Sequence, residues 1–276
     1  MHEIGLMQGR LVPQVNGRIQ AFPRDHWREE FMLAQQHAFA SIEFIFEADD
    51  YSENPLFTAD GRGTVRDVIQ HSHVPVSAIC ADYFMDHPFF CVSETEQHES
   101  GVILRLLLDA AYEIGAQRVE IPCVDHAAIQ TEEDKRQLHS CVSALLPLAE
   151  RRGIEIVFET SLPPVEFREF LERFHHPLVR ANYDSGNSAS LGFDPVTELT
   201  ALKGLIGNIH IKDRLLHGTT VPLGTGNADF PAIFSTLAAI EYRGPFILQT
   251  ARDPDHVGVA VRYRDMVRSY LDRYGM

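Results

Sequence analysis

The sequence is poor in cationic residues, in paired cysteines and in long apolar runs, and each deficit excludes a class of protein. Its 24 Lys and Arg residues face 39 Asp and Glu residues, which gives a net charge of −15. A surface this negative repels phosphate backbones and anionic lipids, so we expect neither nucleic acid nor a membrane as a partner. No apolar run approaches the roughly 20 residues that span a bilayer.

The remaining deficits concern cysteine spacing and targeting. The four cysteines, Cys80, Cys91, Cys123 and Cys141, lack the spacing of a zinc knuckle, a redox dithiol or a disulfide framework. The first residues carry no basic segment of the kind that opens a signal peptide. We therefore expect a cytoplasmic protein with free thiols.

Short aliphatic runs alternate eight times with segments of helical period along the 276 residues. The runs predict strands at Glu3–Met7, Ser41–Phe46, Pro75–Cys80, Arg118–Pro122, Glu155–Glu159, Val179–Tyr183, Ile206–Ile211 and Pro245–Gln249. The periodic segments predict helices at Trp27–His37, Thr64–His73, Thr95–Ile114, Thr131–Arg152, Pro164–His175, Pro195–Leu202, Pro231–Ile240 and His256–Tyr274.

This alternation is typical of a (β/α)8 TIM barrel or of an open, doubly wound sheet. No linker divides the chain, and the first run continues as Gly-Leu-Met-Gln-Gly-Arg, without the Gly-x-Gly-x-x-Gly turn of dinucleotide-binding sheets. Eight complete units favour the barrel. We therefore predict an α/β protein with a single TIM-barrel domain over residues 1–276.

Residues able to bind a metal lie at the ends of the last four predicted strands. They are Glu159, Asp184, His210 and Gln249, in chain order. Catalytic residues of TIM barrels lie at the carboxyl ends of the strands, so these side chains can meet at one mouth. Two carboxylates, an imidazole and an amide oxygen suit one divalent ion such as Mn²⁺, Mg²⁺, Co²⁺ or Zn²⁺.

These residues, together with the Asp184-Ser-Gly-Asn187 and His210-Ile-Lys-Asp213 segments, give the chain a family resemblance. It resembles the xylose isomerase-like, AP endonuclease 2-type barrels, a group of sugar and sugar-phosphate isomerases and epimerases. The resemblance implies one metal ion, a small keto-sugar or sugar-phosphate substrate, and metal-bound carboxylates that exchange protons with a substrate carbon. Barrels of this type commonly pair, which makes a homodimer an expected assembly.

Two positions depart from the pattern of that family. Relatives usually carry glutamate where this chain has Gln249, and many carry histidine where it has Asn187. An amide oxygen can coordinate a metal, but an amide cannot act as a proton-transfer base. The loss of the imidazole, like the negative charge, argues against the three-metal DNA-repair branch of the family.

A mechanism that survives these departures needs a base and a second proton donor. We predict Glu159 as the base and Lys212 as the leading candidate for the second acid. Residues two apart on a strand share a face, so Lys212 is expected to lie beside His210. Asp82, Glu120 and Glu43 at other strand ends are weaker candidates. A missing carboxylate at Gln249 favours isomerisation or dehydration over epimerisation without deciding between them.

Further residues near the strand ends are predicted to contact the substrate. Cations there favour an anionic group such as a phosphate, unless each pairs with a neighbouring carboxylate. The predicted substrate contacts are Arg10, Asp82, Glu120, Asn187, Arg214 and Arg252.

The leading functional prediction is therefore a metal-dependent isomerase or epimerase of a keto-sugar or sugar phosphate, acting through an enediolate. A metal-dependent dehydratase or lyase of a hydroxy-keto acid and a non-catalytic sugar-binding barrel remain the alternatives.

Overall fold

Eight parallel strands close into a barrel in the computed structural model, which describes residues 2–276. Each strand pairs with its neighbours in chain order, and β1 closes the barrel against β8. The predicted TIM barrel is thereby confirmed, with every strand boundary within one residue of its predicted place. The strands are β1 Ile4–Met7, β2 Ile42–Ile45, β3 Val76–Cys80, β4 Arg118–Cys123, β5 Glu155–Thr160, β6 Val179–Asp184, β7 Ile206–Ile211 and β8 Phe246–Leu248.

Helices cover the outside of the barrel and bury the apolar side chains of the strands. Over residues 2–276 they are α1 Trp27–Gln36, α2 Ala59–Ser72, α3 Tyr83–Asp86, α4 Glu94–Ile114, α5 Glu132–Ser143, α6 Leu146–Arg152, α7 Pro164–Glu172, α8 Ser185–Leu191, α9 Pro195–Ala201, α10 Phe230–Ala239 and α11 His256–Tyr274. Two short 3-10 turns, at Tyr51–Glu53 and Asp125–Ala127, complete the elements. None of the helices in this part of the chain is long and apolar enough to cross a membrane.

The polar residues inside the barrel are few, and they lie on β2, β4, β6 and β7. Most strand positions are aliphatic or aromatic and fully buried, as expected of a parallel sheet covered by helices. Glu43, Glu120, Asn182 and Asn208 are exceptions, each at most 1% exposed. Buried polar groups require partners, so these four residues form a connected network with His210, described below.

The predicted helix Thr131–Arg152 is wrong in one respect, because the structure divides it into α5 and α6. Pro147 lies in the first turn of α6. It has no backbone N–H to donate to the carbonyl of Ser143, where α5 ends. The periodicity continues across the break, which is why it suggested one helix.

Other helical segments also differ from prediction, and the helix predicted at Pro164–His175 ends earlier, at Glu172. The helix predicted at Thr64–His73 begins earlier, at Ala59, where the Thr58 hydroxyl accepts the backbone N–H of Gly61. Glycine is required at position 61, because a Cβ there would lie 2.2 Å from the carbonyl oxygen of Pro55. The segment after Asp184, which we expected to be a loop, is helix α8.

Candidate functional site

Three of the four predicted metal ligands meet at the carboxyl ends of β5, β6 and β7. Glu159, Asp184 and His210 each offer one ligand atom, and these atoms lie within 4.8 Å of one another. The Nδ1 atom of His210 is 3.2 Å from Glu159 Oε2 and 4.0 Å from Asp184 Oδ2. All three side chains are buried. This arrangement can hold one divalent ion.

Gln249, the fourth predicted ligand, lies beside this cluster and contacts Lys212. Its Oε1 atom accepts a hydrogen bond from the Lys212 ammonium at 3.1 Å. The same ammonium is 3.4 Å from Asp184 Oδ2. Lys212 therefore lies between the amide of Gln249 and the carboxylate of Asp184, and its charge compensates part of the negative charge there.

The two oxygens of the Asp184 carboxylate have different partners. Oδ1 accepts the backbone N–H groups of Gly186 and Asn187, both at 2.8 Å, and so caps α8. Oδ2 is buried, accepts no hydrogen bond within residues 2–276, and has the Lys212 ammonium at 3.4 Å as a cationic neighbour. Its lone pairs are therefore free for a metal ion, and the oxygen and nitrogen donors of the cluster fit such an ion.

His210 is held from behind by two carboxylates inside the barrel. Its Nε2 atom is 3.0 Å from Glu43 Oε1 and 3.6 Å from Glu120 Oε2. The amide of Asn208 donates to the other Glu43 oxygen at 2.8 Å. Metal-binding histidines generally donate their second ring N–H to a carboxylate, which fixes the ring and leaves the first nitrogen for the metal. Glu43 is the carboxylate beside the second ring nitrogen of His210, and the Nδ1 atom of His210 faces Glu159 and Asp184.

Asn182 connects the two groups of carboxylates. Its amide nitrogen donates to Glu120 Oε1 at 2.9 Å and to Glu159 Oε2 at 2.7 Å, and it lies 3.0 Å from Nδ1 of His210. This residue fixes the orientation of Glu159 toward the cluster. Sequence reasoning missed it, although an asparagine inside an otherwise apolar strand is a detectable exception.

The electrostatics of the cluster favour an ionised Glu159 carboxylate. Burial opposes its charge, but the hydrogen bond and positive charge of His210, with the charge of Lys212, lower the pKa of Glu159 to about 2. Burial likewise opposes protonation of His210, but the carboxylates of Glu120 and Glu43 raise the pKa of its imidazole well above the usual value. Burial raises the pKa of Glu120 well above its usual range. The carboxylate predicted from the sequence as the base is thus kept ionised by His210 and Lys212.

Glu159, one of the three residues of the cluster, lines a cavity of about 390 Å³ at the carboxyl end of the barrel. This volume suits a small molecule. Seven of the residues predicted from the sequence line it: Arg10, Asp82, Glu120, Glu159, Asn187, Lys212 and Gln249.

Two of the predicted substrate contacts, Arg214 and Arg252, do not line that cavity and have protein partners. The guanidinium of Arg214 donates to Asn187 Oδ1 at 2.7 Å and lies 3.6 Å from Asp125. Arg252 donates to the backbone carbonyl of Val12 in the first loop. Arg214 can act on the site through Asn187, whose amide donates to Glu159. The predicted contacts of Arg214 and Arg252 with substrate stay predictions.

Sequence reasoning missed Gln20, which the first loop inserts into the cavity. Its Oε1 atom accepts from Gln249 Nε2 at 3.0 Å and from Arg10 Nη2 at 3.2 Å. Its Nε2 atom donates to Asp82 Oδ2 at 2.7 Å. The only indication in the sequence is the unusual length of the connection between β1 and α1.

Comparison with known proteins connects this geometry to a group of sugar enzymes. The family model described as xylose isomerase-like TIM barrel matches residues 31–270. The L-ribulose-5-phosphate 3-epimerase UlaE of Escherichia coli K12 is 23% identical over 263 residues, which cover 91% of this chain and 92% of that protein.

Solved structures have the same fold at low sequence identity. The D-allulose 3-epimerase of Methylomonas sp. aligns with a TM-score of 0.74 at 18% identity, over 98% of both chains. A structure described as IolI protein with a binding zinc atom aligns with a TM-score of 0.77 at 17% identity, over 99% of this chain and all of that one.

Proposed function

Because this chain belongs to the xylose isomerase-like TIM barrel family, we propose that it is a divalent-metal-dependent sugar epimerase or isomerase. It moves a proton on the carbon beside the carbonyl of a small keto-sugar. The observation that carries the proposal is the buried cluster of Glu159, Asp184 and His210, in which Glu159 also lines a cavity of sugar size.

Glu159, Asp184 and His210 would hold the metal, and Gln249 is the candidate for a fourth ligand. The Oδ2 atom of Asp184, which accepts no hydrogen bond among residues 2–276, and the oxygen and nitrogen donors of the cluster support this assignment. A divalent ion bound there supplies a Lewis acid that polarises the substrate carbonyl. IolI with its zinc atom is a member of the same fold class with a metal.

Glu159 is the proposed base. Its carboxylate faces both the cluster and the cavity, and the hydrogen bond from Asn182 holds it in place. It removes the proton from the carbon next to the carbonyl, and the electron pair of that C–H bond forms the enediolate. Lys212 provides a positive charge beside Gln249, where it stabilises negative charge that develops on the substrate oxygens.

A polyhydroxylated ketose fits the polar lining of the cavity. The Nη1 atom of Arg10 is buried without a hydrogen-bond partner among residues 2–276, and it is available to a substrate oxygen. Asn187 presents a second polar side chain at the same wall. Arg18, also at the cavity, is already paired with Glu47 and Asp49. UlaE is named for a ketose phosphate and the Methylomonas enzyme for a free ketose, so both substrate forms belong in the assay.

Solvent deuterium exchange tests the proposal. Metal-stripped protein is supplied with Mn²⁺ in D₂O and incubated with ketopentoses, ketohexoses and their phosphates, and the products are followed by NMR. We expect metal-dependent deuterium incorporation next to the carbonyl, together with formation of an epimer or an aldose. A new conjugated chromophore identifies the dehydratase instead. If the protein catalyses neither reaction with any of these substrates, the result favours the non-catalytic sugar-binding barrel.

A pair of variants on one strand assigns the base. Glu159→Gln stops interconversion of substrate and product while the fold is retained, because the amide cannot accept the proton. Glu155→Gln is the matched control, since Glu155 lies on the same strand at the opposite end of the barrel, paired with Arg118. Interconversion that survives in the Glu159 variant removes this residue as the base.

A further inference from the structure

Asp82 places a second carboxylate in the cavity wall, just after β3. Its Oδ2 atom accepts a hydrogen bond from Gln20 Nε2 at 2.7 Å, and its Oδ1 atom accepts from the thiol of Cys80 at 3.3 Å. The side chain lines the same cavity as Glu159 and Gln249. Unlike Asp184, it has no direct contact with Glu159 or His210 within residues 2–276, so its carboxylate is not committed to the metal-ligand cluster.

A directed set of amide hydrogen bonds connects Asp82 to Gln249. The Gln249 amide donates to Gln20 Oε1, which also accepts from Arg10. These two donors fix the Gln20 amide with its nitrogen toward Asp82. Because neither amide can exchange a proton as an acid or base, the carboxylate of Asp82 is the first group in this series that can.

The surroundings of Asp82 act on its carboxyl group in both directions. Burial raises the pKa of this group and the negative charge of Glu159 acts in the same direction, whereas the hydrogen bonds from Gln20 and Cys80 lower it, and the net shift is upward. Burial also raises the pKa of the Cys80 thiol well above its usual value, so Cys80 stays a neutral donor to Asp82. A carboxyl group in this position, on the cavity wall and connected to Gln249 through Gln20, can exchange a proton with a bound substrate.

We propose that Asp82 is the second acid–base residue of an epimerisation, in the role that a carboxylate at position 249 would otherwise have. This inference rests on the proposed function. Glu159 takes the proton from one face of the carbon, and the electron pair moves to the carbonyl oxygen. As the carbonyl re-forms, the same carbon takes the proton of Asp82 on the other face. Glu159 ends protonated and Asp82 ionised, ready for the reverse direction or for exchange with water.

Lys212, the leading candidate from the sequence, is held in a different position. Its ammonium donates to Gln249 Oε1 and pairs with Asp184 Oδ2, on the metal side of the cavity. We assign its charge, not its proton, to the reaction. The preference of sequence reasoning for Lys212 over Asp82 is reversed here because the contacts of Gln20 bring Asp82 into the site.

Exchange measured separately on each epimer distinguishes two-base chemistry from its alternatives. Each of two epimers is incubated in D₂O with Mn²⁺ and either the wild-type protein, Asp82→Asn or Glu159→Gln. Asp82→Asn is expected to lower epimer formation by about 10²–10⁴-fold, the usual contribution of an acid–base group. It still exchanges the proton of the epimer that Glu159 deprotonates. Glu159→Gln is also expected to lose epimer formation, and it keeps exchange only on the other epimer, the one that Asp82 deprotonates.

Three further variants complete the test. Asp67→Asn, at an exposed carboxylate on α2 away from the cavity, serves as the matched control with unchanged epimerisation. Gln20→Ala removes the donor to Asp82 and lowers epimer formation more than it lowers exchange through Glu159. It covers the case in which Asp82→Asn does not fold. Lys212→Met lowers exchange and epimer formation together, because it removes a charge that both steps use.

The outcomes separate this inference from the function on which it rests. Wild-type protein that exchanges no ketose overturns the proposed function and Asp82 with it. Wild-type protein that epimerises, with an Asp82→Asn variant that still does so, overturns the role of Asp82 alone. The role of Asp82 is also overturned if Lys212→Met, and not Asp82→Asn, keeps exchange on one epimer and loses epimer formation.

Discussion

The carboxylate behind His210 gives the sharpest prediction about metal affinity. Glu43 Oε1 is 3.0 Å from Nε2 of His210, and both side chains are fully buried, so solvent does not screen their interaction. Glu43→Gln keeps the size of the side chain and an acceptor oxygen but removes the charge that increases the basicity of the ring. Loss of such an outer partner generally weakens metal binding about 10–100-fold. At about 1.4 kcal/mol per factor of ten, this is about 1.4–2.8 kcal/mol of binding free energy.

Titration calorimetry of metal-stripped protein with Mn²⁺ measures this change. Glu30→Gln is the matched control, because Glu30 is equally buried but accepts the backbone N–H groups of Gly9 and Leu11 in the first loop. We expect the dissociation constant to rise for Glu43→Gln and to stay unchanged for Glu30→Gln. A Glu43 variant that binds Mn²⁺ within twofold of the wild type refutes the role of Glu43 as the support of His210.

Three further predictions concern other parts of the site. Gln249→Glu tightens Mn²⁺ binding by about tenfold or more, because a charged ligand replaces a neutral one; an unchanged affinity by calorimetry removes position 249 from the ligand set. Gly186→Ala lowers stability by about 1–3 kcal/mol in urea unfolding, because its Cβ would lie 2.7 Å from Cγ of Lys212; a stability equal to the wild type contradicts the close packing. Burial raises the pKa of Glu198 to about 8, so the folded state retains a proton that the unfolded state loses above about pH 4.5. Stability therefore declines from about pH 4.5 to 8, and Glu198→Gln removes that part of the decline in thermal unfolding followed by circular dichroism.

The barrel could be predicted from the sequence because each of its units carries its own pattern. Strands buried on both faces are short and almost wholly apolar, and helices follow them with a different period. The predictions were wrong where backbone hydrogen bonds, which hydrophobic periodicity does not report, decide whether a helix begins or ends. Pro147 interrupts a continuous apolar pattern, and Asp184 begins helix α8 by capping two backbone N–H groups.

The sequence could predict those residues of the candidate site that lie at the ends of strands. Glu159, Asp184 and His210 are polar residues at the close of apolar runs, and closure of the barrel brings them together. Asn182 and Gln20 were not predictable in the same way. The partners of Asn182 come from strands distant in the chain, and Gln20 lies on a loop whose side-chain directions follow no period.

Anomalous scattering from crystals soaked in Mn²⁺ tests the central claim most directly. Data collected on both sides of the manganese absorption edge locate the ion without reference to any assay. We predict a single strong peak within coordination distance, about 2 Å, of a carboxylate oxygen of Glu159 and of Asp184 and of His210 Nδ1. A map with no peak among these three side chains, or with the ion bound elsewhere in the barrel, contradicts the account.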